Sequence, residues 1–273
     1  MWISNNRRRV FLPVSSGFDA DYQALIDEAD SNGHALPSSS QQILQNQLVI
    51  DLKASGVWSK LDLLYIFAND AGIQFTYYNW IDPSNFKLTP YYGIDWTKIS
   101  NDSIYHIGFN ALNTGYKASR DAVNFQLTNG SVGLKKGTVV NTYGTDQGAY
   151  RAGIDGVTQT LPAWWLYEGN FQCRNWNNIG GSSVSFGNSY RYISNTSNCY
   201  INVGQNGNTQ YLFKNGVLQT SISNTPTGLF GYDIYIHWAS SRNDFKYFYL
   251  GSYLSASEQA ALESAFQTYF SNL

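Results

Sequence analysis

One short segment, Tyr211-Leu212-Phe213-Lys214-Asn215-Gly216-Val217-Leu218, carries the clearest structural signal in the chain. Its two ends are mainly apolar, and Asn-Gly stands at its centre. Asn-Gly is the pair that most readily supplies the two positive φ angles of a type I′ turn. The segment therefore predicts a tight antiparallel β-hairpin.

Related turn signals continue on the N-terminal side of this hairpin. They are Asn129-Gly130, Lys136-Gly137, Gly180-Gly181 and Asn206-Gly207, and they separate short apolar runs such as 61–67. The 61–67 run predicts a buried strand, and no helical pattern interrupts the chain between it and the C-terminal region. Turn signals at this spacing favour a mainly β, antiparallel fold, either a sandwich or a barrel, and we expect the sandwich.

Helical periodicity is confined to the two ends of the chain. The first predicted helix follows Asp19 as N-cap and stops at Gly33. Its apolar stripe consists of Tyr22, Leu25, Ile26 and Ala29. A second helix is predicted from Ser39 to Gly56, with Gln42 as the capping-box partner of Ser39. Its apolar face consists of Leu44, Leu48 and Leu52. Both stripes are narrow, so we expect a helical hairpin that packs on the sandwich.

The last helix is the clearest of the three. Ser255 is its predicted cap and Glu258 completes the capping box. Its apolar face consists of Leu262, Ala265, Phe266, Tyr269, Phe270 and Leu273. The face predicts docking on the sandwich, with a contact between subunits as the alternative.

Charge is scarce in this protein. Charged residues make up 13% of the 273 residues and the net charge is −2, so the polar surface consists mainly of neutral side chains. Such a surface suits sugars or other protein subunits. The Arg7-Arg8-Arg9 run is too small a basic patch to indicate nucleic-acid binding. The apolar stretch 10–14, broken by Pro13, is too short for a secretion signal, and no segment predicts a membrane span.

Metal and cofactor signals are weak. His34, His106 and His237 lack the spacing of metal ligands, and no Asp-rich loop supports a structural calcium ion. We therefore expect no cofactor. Cys173 and Cys199 either form a disulfide or remain two free thiols.

Carboxylates give no clear catalytic pair. Glycosidases usually need two that face each other across the sugar. Glu28, Glu258 and Glu263 fall on predicted helices, so Glu168 is the one glutamate of the β region. An aspartate pair stays open among Asp121, Asp146, Asp155, Asp233 and Asp244. Since no spacing singles out a pair, we expect binding rather than catalysis.

Aromatic residues among neutral polar ones indicate a ligand site. A flat ring stacks on the apolar face of a pyranose while amides and guanidinium groups bind its hydroxyls. Trp176 is flanked by polar residues, and more tyrosines and a tryptophan lie nearby in sequence. The candidate ligand-binding residues are Arg174, Asn175, Trp176, Asn177, Tyr190, Tyr192 and Trp165. Core packing is the alternative for each aromatic.

Several segments occur in the order seen in one known family. They are 52–62, Asn113-Thr114-Gly115-Tyr116, 121–125, Phe213-Lys214-Asn215-Gly216-Val217 and 250–255 ahead of a final helix. In this order the chain resembles the laminin-G/concanavalin-A-like domains of bacteriophage structural proteins. The resemblance places a strand at 121–125 and covers roughly residues 18–273.

The resemblance implies a concanavalin-A-like sandwich and a non-enzymatic virion protein: a spike, head fibre or tail component. Its expected partners are other virion proteins, a host surface glycan and further copies of itself, as in the trimers of phage fibres. It implies assembly in the host cytoplasm, location on the virion and no catalytic residue. The expected divisions are an extended arm at 1–17, the helical hairpin at 18–60 and the lectin-like sandwich with its last helix at 61–273. A purely structural virion part and a glycan depolymerase are the alternative functions.

Overall fold

A computed structural model describes most of the chain outside the segment 138–199. The described residues are 17–90, 96–99, 101–105, 110–137, 148–151, 163–167, 170–173, 200–223, 225, 229, 233–239 and 244–273. The expected arm at 1–17 and the Gly180-Gly181 turn therefore lie almost wholly outside the described residues.

The described chain begins and ends with helices and is otherwise mainly strands. The helices are α1 (Ala20–Ser31), α2 (Ser39–Ala54), α3 (Ala118–Asp121) and α4 (Ala256–Phe270), with 3-10 turns at Trp58–Lys60 and Ile73–Tyr77. The strands are β1 (Leu61–Ile66), β2 (Thr89–Pro90), β3 (Thr97–Ile99), β4 (Ser103–Tyr105), β5 (Asn110–Lys117), β6 (Asn129–Lys136), β7 (Gly148–Arg151), β8 (Ala163–Tyr167), β9 (Asn170–Cys173), β10 (Tyr200–Asn206), β11 (Thr209–Lys214), β12 (Val217–Ser223), β13 (Asp233–Ala239) and β14 (Phe245–Gly251).

The larger sheet is antiparallel and contains the predicted hairpin. Its order is β12-β11-β10-β6-β14, with β1 and the β4–β3 pair on the far side of β14. The β11–β12 turn has Asn215 at φ 49° and Gly216 at φ 75°, as a type I′ turn requires. The hairpin prediction is confirmed.

A smaller sheet covers one face of the larger one. It is antiparallel, with the strand order β13-β5-β2. A third sheet, β7-β8-β9, lies beside it, as the contact between β7 and β13 shows. Apolar side chains fill the space between the two sheets. They include Leu63, Tyr65 and Phe248 from the larger sheet and Leu112, Tyr116, Ile234 and Ile236 from the smaller one.

The terminal helices cover the opposite face of the larger sheet. Successive side chains of a strand point to opposite faces, so β1 sends Leu64 and Ile66 toward the helices, and Leu63 and Tyr65 toward the smaller sheet. Leu61, before the register shift of β1, also belongs to the helix-side core. This second core joins α1, α2 and α4. It includes Tyr22, Leu25, Leu48, Leu52, Tyr247, Leu262 and Phe266. The layers are therefore helices, larger sheet, smaller sheet.

The first and last helices begin where the sequence predicts. Asp19 caps α1 by accepting from the backbone N–H of Asp21, and the four residues of the predicted stripe are buried. Ser255 and Glu258 form the predicted capping box of α4. The helix docks on the sheet through Leu262, Phe266 and Tyr269, which are buried, whereas Leu273 is exposed.

The cap of α2 differs from the prediction. Ser38, not Ser39, is the N-cap, and its hydroxyl accepts from the backbone N–H of Gln41. The side chain of Gln42 instead donates to the Pro37 carbonyl at 2.8 Å. Ser38 is favoured because its backbone N–H also donates to an Asp70 carboxylate oxygen at 3.1 Å, a tertiary contact.

Two further local expectations are wrong. Asn129-Gly130 begins β6 and pairs with β10, rather than forming a turn between strands. The segment 121–125 is not a strand: after the single turn of α3 it curls so that the backbone N–H groups of Val123, Asn124 and Phe125 all point at Asp62. The buried Asp62 carboxylate needs several hydrogen-bond donors, and this need outweighs the preference of residues 121–125 for an extended backbone.

The fold class is confirmed as a mainly β, antiparallel sandwich with helices at both ends. The domain boundaries remain predictions. Within the described ranges, no helix has the length and apolar character that crossing a membrane requires.

Candidate functional site

The outer face of the smaller sheet carries a group of polar side chains. On β5 and β13, Leu112, Ile234 and Ile236 point into the core between the sheets. The alternation of a strand then places Asn113 and Asp233 on the opposite face. These polar side chains are not part of the apolar core and are therefore available for binding at the surface.

Asn113 is the centre of this group. Its Nδ2 donates to Oδ2 of Asp233 at 3.0 Å and to the hydroxyl of Tyr235 at 3.5 Å. Its Oδ1 accepts from the backbone N–H of Gly115 at 2.8 Å. The Asp233 carboxylate is thereby held in one orientation while remaining partly exposed.

Two cations border the group. The Lys117 ammonium lies 3.6 Å from Oδ1 of Asp233, with side chains 38% and 25% exposed respectively. The Arg120 guanidinium donates to both carboxylate oxygens of Asp121 and to the carbonyl of Gly115. We call Asn113, Gly115, Lys117, Arg120, Asp121, Asp233 and Tyr235 the small-sheet patch.

The patch can bind hydroxyl and amide groups. It offers a carboxylate acceptor, amide and ammonium donors and an exposed backbone at Gly115 within a few residues of one another. The hydrogen bonds from Arg120 hold the pKa of Asp121 below its ordinary value. Asp121 therefore stays ionised at neutral pH and is not a general acid, which a glycosidase would need.

Two titratable residues outside the patch, Asp62 and His34, have structural partners. Asp62 is buried and accepts from the Tyr116 hydroxyl at 2.8 Å. Nδ1 of His34 lies 2.9 Å from the Tyr78 hydroxyl, and burial lowers the pKa of His34. Across the described ranges, no cluster of three or more His, Cys, Asp and Glu residues is placed to hold a metal ion.

Most of the sequence-predicted ligand residues lie outside the described residues. These are Arg174, Asn175, Trp176, Asn177, Tyr190 and Tyr192. The backbone of Trp165 is described, on β8, opposite Ala149 of β7. Since β7 contacts β13, the β8 strand belongs to the same side of the sandwich as the small-sheet patch. The structure neither assembles nor separates the predicted set.

Five further candidate residues also lie outside the described residues. They are Glu168, Asp146, Asp155, His106 and Cys199, while Cys173 ends β9. The disulfide alternative therefore stays open.

Of the patch residues, the sequence alone singles out Asn113, Gly115, Asp121 and Asp233, and it gives no reason to join them. Asp233 was one of five aspartates and Asn113 was part of a family landmark. They stand 120 residues apart in sequence and meet because β13 pairs with β5. The alternation of polar and apolar residues along each strand is the signal that the sequence offers. It does not show which strand pairs with which.

Comparisons with known proteins support the fold. No protein-family profile and no curated protein sequence matches the chain. The binding domain of Paraclostridial Mosquitocidal Protein 1 aligns with a TM-score of 0.51 and 15% identity, over 77% of this chain and 53% of that one. A Trypanosoma rangeli sialidase mutant displaying trans-sialidase activity aligns with a TM-score of 0.51 and 10% identity, over 84% of this chain and 39% of that one.

These likenesses agree with a β-sandwich fold and carry no link to bacteriophages. At such identities they show the fold alone. The aligned region is about half of the toxin binding domain and less than half of the sialidase.

Proposed function

We propose that this protein is a non-enzymatic, lectin-like module that binds cell-surface glycans through the small-sheet patch. The observation that carries the proposal is the Asn113 amide, which bonds both the Asp233 carboxylate and the Tyr235 hydroxyl on the outer face of a sheet. A carboxylate fixed in this way accepts two sugar hydroxyls without having to be oriented on binding, which reduces the entropy lost.

Two further facts support a glycan as the ligand. The surface is poor in charge, with 13% charged residues, so hydrogen bonding rather than ion pairing must supply affinity. The fold is also one that a toxin's binding domain and a sialidase use.

We propose that the sequence-predicted aromatic residues extend the same site. In this proposal the rings of Trp165, Trp176, Tyr190 and Tyr192 supply stacking, and Arg174, Asn175 and Asn177 supply hydrogen bonds. The contact of β7 with β13 supports the placement, because it joins the β8 strand to the edge of the patch. Trp176→Ala should weaken binding at least tenfold.

The test uses the full chain on a glycan array, followed by titration of each glycan that binds. Asp233→Asn and Asn113→Ala should each weaken binding at least tenfold, because each removes one half of the fixed pair. The matched control is Asp30→Asn, the same chemical change on the exposed face of α1. Absence of binding by the intact protein, or equal binding by all variants, would overturn the proposal.

The proposal includes the absence of catalysis. The opposing hypothesis is a glycan depolymerase that uses Glu168. Incubating host polysaccharide with the wild type and with Glu168→Gln distinguishes the two hypotheses. Chain shortening by the wild type that disappears in Glu168→Gln would show that the binding proposal is incomplete.

We further propose that the module is part of a virion, as a homo-oligomer attached to other virion proteins. This proposal rests on the sequence resemblance. Mass spectrometry of purified particles, and particles made with a 1–15 deletion of the basic arm, would test it. Absence of the chain from particles would end the virion proposal and leave the glycan proposal standing.

A further inference from the structure

A pair of tyrosine rings lies on the other face of the larger sheet, away from the small-sheet patch. Tyr211 on β11 and Tyr253, which follows β14, have ring centroids 5.5 Å apart and planes inclined at 46°. Both residues are partly exposed, and neither belongs to the two apolar cores. We call Asn202, Gly204, Tyr211 and Tyr253 the tyrosine ledge.

Gly204 forms the floor of the ledge. It lies opposite Tyr211 in the β10–β11 register, and the Tyr253 ring rests directly on it. A Cβ at position 204 would lie 2.7 Å from Cδ2 of Tyr253, closer than real side chains approach. A glycine here therefore allows the Cδ2–Cε2 edge of the Tyr253 ring to approach the backbone of the sheet beside Tyr211.

Asn202 supplies an acceptor without a partner beneath the rings. Its side chain is fully buried, and its Nδ2 donates to the Tyr249 hydroxyl at 2.5 Å and to the Val132 carbonyl at 3.2 Å. In this orientation the amide nitrogen makes both bonds and the amide oxygen remains as an acceptor. Among the described residues, Oδ1 of Asn202 has no hydrogen-bond partner, and it lies 3.7 Å from the position of a Cβ on Gly204.

A buried acceptor without a donor is unfavourable, so this oxygen can gain a hydrogen bond from a ligand hydroxyl. Few charges border the ledge. Along β11 and β12 the sole charged residue is Lys214, at the hairpin end, and the Glu258 carboxylate near Tyr253 is paired with the Lys60 ammonium at 2.6 Å. An uncharged ligand with an apolar face and hydroxyl groups fits these features, whereas an anion or cation does not.

We infer that the tyrosine ledge is a second binding site, for an uncharged saccharide, on the face of the sandwich opposite the small-sheet patch. The rings of Tyr211 and Tyr253 stack on the sugar, and a rotation of the Tyr253 ring brings one sugar hydroxyl to Oδ1 of Asn202. The two sites differ in chemistry, since the patch holds ionised groups. Two sites on opposite faces would let one molecule join two glycan chains.

The test is made in the Asp233→Asn background, which disables the small-sheet patch. Neutral hexasaccharides of glucan, mannan, galactan and xylan are titrated into the protein and followed by chemical-shift changes and calorimetry. At least one should bind. Tyr211→Ala should weaken it at least tenfold, while the ring-retaining control Tyr211→Phe should stay within about threefold.

The outcomes separate this inference from the proposed function. Loss of all saccharide binding in Asp233→Asn would overturn the ledge and support the patch. Binding that survives Asp233→Asn but not Tyr211→Ala would support the ledge and leave the patch to be judged by its own glycan-array test. Equal binding by Tyr211→Ala and Tyr211→Phe would also overturn the ledge. So would a concentration-dependent dimer in sedimentation that Tyr211→Ala dissolves, since a second copy would then occupy the rings.

Discussion

The hydroxyl of Tyr116 donates to Oδ2 of Asp62 at 2.8 Å, and this bond ties the smaller sheet to the larger one inside the molecule. Tyr116 lies on β5 and Asp62 on β1, and both are buried. The same carboxylate accepts three backbone N–H groups of the segment after α3. One side chain therefore fixes the relative position of two sheets and a loop.

Asp62→Asn should destabilise the protein by about 2–4 kcal/mol. The variant keeps one acceptor oxygen but turns an NH₂ group toward donors that then lose their partner. Urea unfolding followed by circular dichroism measures the change, with Asp30→Asn as the control that leaves stability unaltered. An Asp62→Asn protein as stable as the wild type would show that the loop finds other acceptors.

Lys135 and Glu263 form a buried ion pair, and their contributions to the free energy of unfolding should be strongly coupled. Lys135 on β6 is 3% exposed at its side chain and holds α4 against the sheet. Lys135→Met alone should cost about 3–5 kcal/mol because it leaves a carboxylate without its cation, whereas Lys135→Met with Glu263→Leu should cost much less. A double-mutant cycle of unfolding free energies tests this, and additive costs would contradict it.

Lys98 should make stability increase with pH between about 8 and 10. Burial lowers the pKa of Lys98 from 10.5 to about 8, although its ammonium donates to the Asn69 and Ala71 carbonyls. In this window the unfolded chain binds the proton that the folded chain has released, so the free energy of unfolding rises, by about 1–3 kcal/mol. Urea midpoints from pH 7 to 10 should show the rise in the wild type and a flat profile in Lys98→Met.

Buried tyrosines should limit stability above pH 10. Burial raises the pKa of each above the ordinary value of 10, so the folded state keeps protons that the unfolded state loses. They are Tyr22, Tyr65, Tyr116, Tyr200, Tyr247, Tyr249 and Tyr269. Their stabilising effect is complete below pH 10 and is lost above it, at about 1.4 kcal/mol per pH unit for each.

Tyrosinate absorbance and circular dichroism, recorded together from pH 9 to 13, check this. The absorbance of these tyrosines should rise in one step that coincides with loss of the sheet signal. Full ionisation of all tyrosines near pH 10 with the sheet intact would contradict the burial that the structure assigns to them.

The secondary structure set by neighbours in sequence was predictable. Asp19 and Ser255 cap their helices because a capping side chain needs only the next few backbone N–H groups. The Asn215-Gly216 turn forms because its φ angles are a property of the two residues themselves. The cap of α2 was mispredicted because Asp70, distant in sequence, selects Ser38 among adjacent serines.

The sequence by itself determined the helices at the two ends of the described chain, the strand that begins at Leu61 and the Asn215-Gly216 hairpin, since these follow from local backbone preference and from the periodicity of apolar residues. Only the tertiary structure decided which polar residues meet. Asn113 reaches Asp233 through strand pairing across 120 residues, and Oδ1 of Asn202 lies beneath Tyr253 because β10 lies between β6 and β11. Such contacts depend on strand order and register, which the side-chain pattern of a single strand does not encode.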